Sequence, residues 1–172
     1  MKKILLLSDT HGCLDDFILS HAEEADEVWH AGDIGNLQVS DQLQKLRPLK
    51  AIHGNIDDHL TRMSFPEYLH FETEGLSVLM LHIAGVPGRY KPRAKELLAK
   101  YAPRVFICGH SHLLKIVRDP LHQHLHMNPG AAGTHGFHKV RTMVRFRIQD
   151  GRMESVDVIE KERKNISAQT VG

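Results

Sequence analysis

Five short motifs put aspartate, histidine and asparagine at the ends of apolar runs: Asp9-Thr10-His11, Gly32-Asp33, Gly54-Asn55, His82 and Gly109-His110-Ser111-His112. Each follows a segment that reads as a strand: Lys2–Ser8, Glu27–Ala31, Leu49–His53, Leu76–His82 and Val105–Gly109. In open α/β sheets, ligands bind beyond the carboxyl ends of strands. Oxygen and imidazole donors gathered there are poorly explained by packing. They suit a pair of metal ions, the chemistry of a dinuclear metallohydrolase.

Taken singly the motifs are modest. Asp9 and His11 are two apart, and strand alternation predicts that both point to one side and reach one ion; a helix N-cap is the competing role for Asp9 or Thr10. Asp33 has two carboxylate oxygens and can bridge two cations, with Gly32 permitting close backbone approach; an Asp turn is its alternative. Asn55 offers a neutral carbonyl oxygen, again within a turn sequence. His82 ends an apolar strand and alone would read as a satisfied polar terminus. His110 and His112 are the strongest local signal, because two imidazoles after a buried strand both need partners. The order of all five motifs at successive strand ends is what carries specificity.

The elements that must position these residues alternate. Helices are predicted at Leu14–Ala22 and Val39–Leu46, between the first three strands, and a βαβαβ pattern implies a parallel sheet with right-handed crossovers. Tyr68–Glu72 and Leu76–His82 flank Glu74-Gly75 as a hairpin. Ile83–Lys91 reads as a loop, and Pro92–Tyr101 as a helix with proline in its first turn. Further hairpins are expected for Leu114–Arg118 with Gln123–Met127, and for Thr142–Gln149 with Met153–Ile159 around Asp150-Gly151. This element set requires two sheets packed face to face with helices outside. The expectation is one domain over residues 1–160 and a polar, fraying tail over 161–172.

The bulk numbers bound the rest. A chain of 172 residues, 41% hydrophobic and 25% charged, fits a globular domain with a full core. A net charge of +1 argues against a broad basic surface for long nucleic acid. No run approaches the ~20 apolar residues of a membrane span, and Ile4–Leu7 is too short for a signal-peptide core. Two cysteines, Cys13 and Cys108, favour a reducing compartment, so a cytoplasmic location is expected. Of the 14 histidines, several read as incidental. His122, His124 and His126 alternate along one strand; a half-exposed sheet face is favoured over a metal site because no carboxylate or cysteine accompanies them at fixed spacing. His30 reads as a hydrogen-bonded core residue, and His135 and His138 as marginal candidates for a cleft rim. Arg89 and Tyr90, after His82, are candidates for phosphate contact. The Lys161–Lys164 run reads as a solvated end.

On these residues the chain resembles the calcineurin-like metallophosphoesterases, and within them the small YfcE-like phosphodiesterase branch. That family's pattern, D-x-H, G-D, G-N-x-D, a histidine after a strand and G-H-x-H, is matched by Asp9-Thr10-His11, Gly32-Asp33, Gly54-Asn55-Ile56-Asp57, His82 and Gly109-His110-Ser111-His112. Asn128-Pro129-Gly130 resembles a further loop of the branch. The resemblance spans residues 1 to about 160 and implies a four-layer α/β-β/α sandwich of two mixed sheets with flanking helices.

The resemblance also implies roles. One metal would be held by Asp9, His11, Asp33 and His112, the other by Asp33, Asn55, His82 and His110, with Asp33 bridging. Asp9, Asp33, Asn55, His82 and His110 would make up the catalytic set. Asn55, Arg89 and Tyr90 would contact substrate, and Asp57 would orient a ligand or a water. The cofactors would be two divalent transition-metal ions, manganese foremost, with nickel, cobalt, iron or zinc as alternatives. A hydroxide bridging the metals would attack a small phosphodiester. Two departures from the family stand out: Ile56 replaces a histidine that contacts the scissile phosphate in many relatives, and Ile83-Ala84-Gly85 replaces a frequent Gly-His. Rival readings are a non-catalytic scaffold resembling a retromer subunit of this fold, and a phosphomonoesterase or nuclease. No membrane partner is expected, and the sequence sets no oligomeric state.

Overall fold

The computed structural model describes residues 1–163. In chain order its first half comprises β1 (Lys2–Leu7), α1 (Asp16–Glu23), β2 (Glu27–His30), α2 (Leu37–Leu46), β3 (Leu49–Ala51), α3 (His59–Ser64), β4 (Tyr68–Thr73) and β5 (Leu76–Leu81). The second half comprises β6 (Gly85–Val86), β7 (Arg89–Tyr90), α4 (Pro92–Tyr101), β8 (Val105–Ile107), β9 (Leu114–Arg118), β10 (Leu125–Pro129), β11 (Val140–Gln149) and β12 (Arg152–Glu162).

Two five-stranded sheets result, ordered β12-β11-β1-β2-β3 and β4-β5-β8-β10-β9. Both are mixed. β1, β2 and β3 are parallel, with β11 antiparallel to β1; β5, β8 and β10 are parallel, with β4 and β9 antiparallel at the edges. Strand alternation builds the layers. Ile4 and Leu6 of β1 face Val78, Met80, Val105 and Ile107 of the second sheet. Leu5 and Leu7 point outward against Ile18 and Ala22 of α1 and Val39 and Leu43 of α2. On the far side, Leu79, Leu81 and Phe106 pack on Ala94, Leu97 and Leu98 of α4. Both sheets are thus two mixed layers flanked by helices, as the sequence pattern implies. Trp29 is fully buried between the sheets, edge-on to Phe71 and Phe146 at centroid distances of 5.0 and 5.5 Å.

Helix starts are set by caps rather than by the apolar pattern. Asp15 accepts from the Ile18 amide and Asn36 from the Val39 amide, so α1 begins two residues after the expected Leu14 and α2 two residues before the expected Val39. Strands β1, β2, β3, β5 and β8 all end one or two residues earlier than expected, because the backbone turns sharply where the ligand motifs begin. α3 and the β6–β7 hairpin inside the expected 83–91 loop were not anticipated. β10 starts at Leu125 rather than Gln123, which leaves His122 in the preceding turn and His124 just outside the strand. β12 takes in Lys161 and Glu162, beyond the expected boundary at 160, and the expected tail from 164 to 172 lies outside the described residues. Among the described residues no helix is long and apolar enough to cross a membrane.

Candidate metal centre

The seven expected ligands converge where the carboxyl ends of β1, β2, β3, β5 and β8 meet. Candidate donor atoms of Asp9, His11 and His112 form one group within 4.8 Å, and those of Asp33, His82 and His110 form a second. His112 Nε2 lies 3.2 Å from Asp9 Oδ1 and 3.3 Å from His11 Nε2. In the other group, His82 Nε2 lies 3.2 Å from Asp33 Oδ2, and His110 Nδ1 lies 3.0 Å from Asn55 Oδ1. Asp33 Oδ2 is also 3.6 Å from His11 Nε2, so this one oxygen stands between the groups.

Two buried atoms in the middle, Asp9 Oδ1 and His82 Nε2, have no hydrogen-bond partner. Orphaned buried polar atoms are costly, and here each points at neighbouring donors whose other atoms are fully engaged. Asp9 Oδ2 accepts from Ser8 Oγ at 2.7 Å and from the His110 amide at 3.1 Å. His82 Nδ1 donates to the Ala31 carbonyl at 2.7 Å, which leaves the Nε2 lone pair facing inward. Asp33 Oδ1 accepts from the Ile56 amide at 3.0 Å, turning Oδ2 to the centre. Burial alone would raise the Asp9 carboxyl, but His11, His112, His82 and Ser8 outweigh it and hold it well below the usual carboxylate range. The donor set is oxygen and imidazole without thiolate, and it fits divalent transition metals.

The backbone is as specialised as the side chains. Asp9, His11, Asp33, His110 and His112 have φ of 55°, 46°, 53°, 71° and 60°, in the left-handed region. Each such residue costs about 1–2 kcal/mol relative to the right-handed region. Strand alternation therefore does not bring Asp9 and His11 together, contrary to expectation: both lie past the end of β1, and the turns of the chain aim them. Asp57 holds two of these turns, accepting from the amides of Ile34, Gly35 and Gly54 at 3.1, 2.7 and 2.8 Å. Arg62, which the sequence did not single out, donates to the Asp57 and Asn55 carbonyls at 2.7 and 2.8 Å. Asn128 donates to the Gly109 carbonyl at 2.9 Å and to Ser111 Oγ at 3.0 Å, fixing the loop that carries His110 and His112.

Gly109 is required by close approach. A Cβ there would collide with Ser8 Oγ and lie 2.8 Å from Asp9 Oδ2 and 3.0 Å from His82 Nδ1. Gly109→Ala is therefore expected to displace two ligands at once and to weaken manganese binding by at least about tenfold, as loss of supporting contacts does at metal sites. Calorimetric titration with manganese checks this; wild-type affinity would show that the loop relaxes and that the glycine is dispensable.

Two cavities adjoin the centre. One of about 500 Å³ is lined by His53, Asn55, Arg62, His82, Lys91 and Arg93 among others. The second, about 260 Å³, is lined by His110, Ser111, Lys91, Lys115, His126 and Asn128 among others. Lys91 lines both, and nothing in its motif context marked it. Arg89 is exposed in β7. Tyr90 is turned inward, 5% exposed, with its hydroxyl 2.9 Å from His124 Nε2 and 3.1 Å from His126 Nδ1; the structure does not bring it to the centre as a substrate contact. Ile56 stands exposed at the rim. His135 and His138 do reach the centre, with ring centroids 4.8 Å from His11 and 5.2 Å from His112. His30 is buried and bonds Thr10 Oγ1 at 2.8 Å, as a core residue should. Cys13 lies near Arg141, and Cys108 is buried with its thiol pushed up to about 12 by desolvation. The half-exposed sheet face expected for His122, His124 and His126 is corrected, since His124 and His126 are buried.

Comparison with known proteins agrees with this geometry. The model of the calcineurin-like phosphoesterase superfamily domain matches residues 1–151. A protein of Methanothermobacter thermautotrophicus described as a probable metallophosphoesterase is 25% identical over 131 residues, covering 73% of this chain and 74% of its own. Among solved structures, a single-mutant Vps29 from Entamoeba histolytica superposes with a TM-score of 0.73 at 16% identity, covering 94% of this chain and 99% of that one. A conserved Streptococcus pneumoniae protein, a predicted phosphoesterase, gives 0.66 at 20% identity, covering 94% and 98%. These two likenesses establish the fold.

Proposed function

Because the chain belongs to the calcineurin-like phosphoesterase superfamily, we propose that it is a dinuclear metal-dependent phosphodiesterase, with manganese as its working ion and a small phosphodiester as its substrate. The observation that carries this reading is the pair of donor groups with Asp33 Oδ2 standing between them, and with Asp9 Oδ1 and His82 Nε2 orphaned at their centre. Two divalent cations, when bound there, supply a water nucleophile at neutral pH and offset charge on the phosphate. The protein's part is positional. Asp9, His11 and His112 would hold one ion and His82, His110 and Asn55 the other, with Asp33 joining them. Asp57 and Arg62 keep the Asp33 and Asn55 turns in place. Lys91, which lines both cavities, is the cation offered to the substrate phosphate from the segment after His82, with Arg89 exposed on the hairpin beside it as a second candidate. The two free cysteines suit a cytoplasmic enzyme. The complete ligand set weighs against a scaffold role, for which metal donors are superfluous.

The test is a panel of phosphodiesters and phosphomonoesters, assayed with manganese, nickel, cobalt, zinc and magnesium after chelation. Aryl diesters should be cleaved fastest, with manganese. Faster monoester cleavage would reassign the substrate class, and no turnover with any ion would favour the scaffold.

Ile56 gives this reading a sharper consequence. General acid catalysis typically contributes about 10²–10⁴-fold, and an apolar residue cannot protonate a leaving oxygen. Turnover should therefore fall steeply as leaving-group pKa rises across a series of aryl diesters. Ile56 is 47% exposed, so Ile56→His needs no repacking and should flatten the slope. A flat wild-type slope, with chemistry rate-limiting, would mean that another acid already serves.

A further inference from the structure

We propose a third cation site, separate from the centre above, formed by Asp119, His122 and His124 at the turn between β9 and β10. Donor atoms of the three lie within 4.8 Å of one another. Asp119 Oδ1 accepts from the amides of Leu121 and His122 at 2.8 and 3.1 Å, so the turn itself locks the carboxylate. That leaves Oδ2 facing His122 Nδ1 at 3.0 Å and His124 Nε2 at 3.8 Å.

The charge balance points to a cation. Asp119 and His124 are each 1% exposed, and among the described residues the ion-pair partners of Asp119 are these two histidines alone. A buried carboxylate without a fixed positive partner is costly. A divalent ion seated among Asp119 Oδ2, His122 Nδ1 and His124 Nε2 would have two imidazoles and one carboxylate as ligands, a set suited to zinc with a fourth position open. His122 is exposed, so an ion can enter from solvent.

The site has a neighbour with consequences. Tyr90 Oη, 2.9 Å from His124 Nε2, also bonds His126 Nδ1 at 3.1 Å. Tyr90 closes the β6–β7 hairpin, and the loop around that hairpin lines the 260 Å³ cavity beside His110, as does His126. With His124 committed to a metal, the Tyr90 hydroxyl is free to donate to His126. The bound ion would thus tie the β9–β10 turn to the wall of the cavity.

Zinc alone, titrated calorimetrically into chelator-stripped protein and counted by elemental analysis after dialysis, tests the site. His122→Ala removes an exposed ligand. Asp119→Asn keeps an oxygen for the two turn amides but removes the charge. Wild type should hold one more zinc per chain than either variant, or bind that ion at least about tenfold more tightly, while zinc-free His122→Ala still melts in one cooperative transition. Equal zinc counts and affinities in all three proteins would overturn the proposal. The same comparison in an Asp33→Asn background separates this site from the first centre, because the difference due to His122 should persist there.

Discussion

Asp33→Asn is expected to lower turnover at limiting metal by at least about 100-fold while leaving the fold intact. Loss of a residue that merely supports a ligand costs about 10–100-fold, and Asp33 is more than that. Its Oδ2 stands 3.2 Å from His82 Nε2 and 3.6 Å from His11 Nε2, within reach of both donor groups. The amide oxygen of asparagine would keep the Ile56 bond and so present its NH2 to the two imidazoles, where an anion is needed. A donor there satisfies those nitrogens without metal and repels a cation. Turnover measured across metal concentration, with a melting curve for the variant, checks this. Wild-type turnover at limiting metal would remove Asp33 from the bridging position.

Saturating manganese is expected to raise the melting temperature of wild type by roughly 5–10 °C for each ion bound at the main centre. Each donor group draws on both sheets: Asp9 and His11 follow β1 while His112 follows β8, and Asp33 follows β2 while His82 and His110 follow β5 and β8. An ion held there exists only when the sheets are docked, so its binding energy is folding energy. At a hundredfold excess over Kd this is about 2.7 kcal/mol per site, and about 2–4 °C accompanies each kcal/mol in a chain of this size. Scanning calorimetry with manganese and with chelator reads the shift, and the same measurement on Asp33→Asn isolates the part due to this centre. An identical melting temperature with and without manganese would sink the dinuclear assignment.

The sequence shows the parts of this molecule that repeat. Apolar runs in Lys2–Leu7, Leu76–Leu81 and Val105–Ile107 mark buried strands, Pro92 marks the start of α4, and a fixed order of aspartate and histidine marks the strand ends. What does not repeat is invisible. α3 is six residues long, too short for a helical period. The β6–β7 hairpin has two residues per strand and no alternation to detect. Tyr90 reads as a loop residue beside Arg89, but the hairpin turns neighbouring side chains to opposite faces and sends Tyr90 into the core. His122, His124 and His126 share a spacing, and a strand starting three residues earlier would have lined them up. The turn instead brings Asp119 beside His122, a carboxylate companion three residues away in the chain that a search along the strand period alone passes over. Arg62 and Lys91 escaped notice for a related reason: each acts on the site from a segment with no metal motif of its own.

The left-handed backbone at Asp9, His11, Asp33, His110 and His112 has an evolutionary consequence. At such positions glycine is the least strained residue, so every ligand that mutates to glycine relieves the apoprotein of about 1 kcal/mol or more of conformational strain. At the more exposed His11, His110 and His112, selection for metal binding and selection for stability therefore pull in opposite directions, whereas at buried Asp9 and Asp33 the bonds from Ser8, the His110 amide and the Ile56 amide favour keeping the carboxylate. A lineage released from the need to bind metal would drift toward glycine here first. At the histidines it would shed strain as it lost its metal, and would keep the fold as a ready-made inert body.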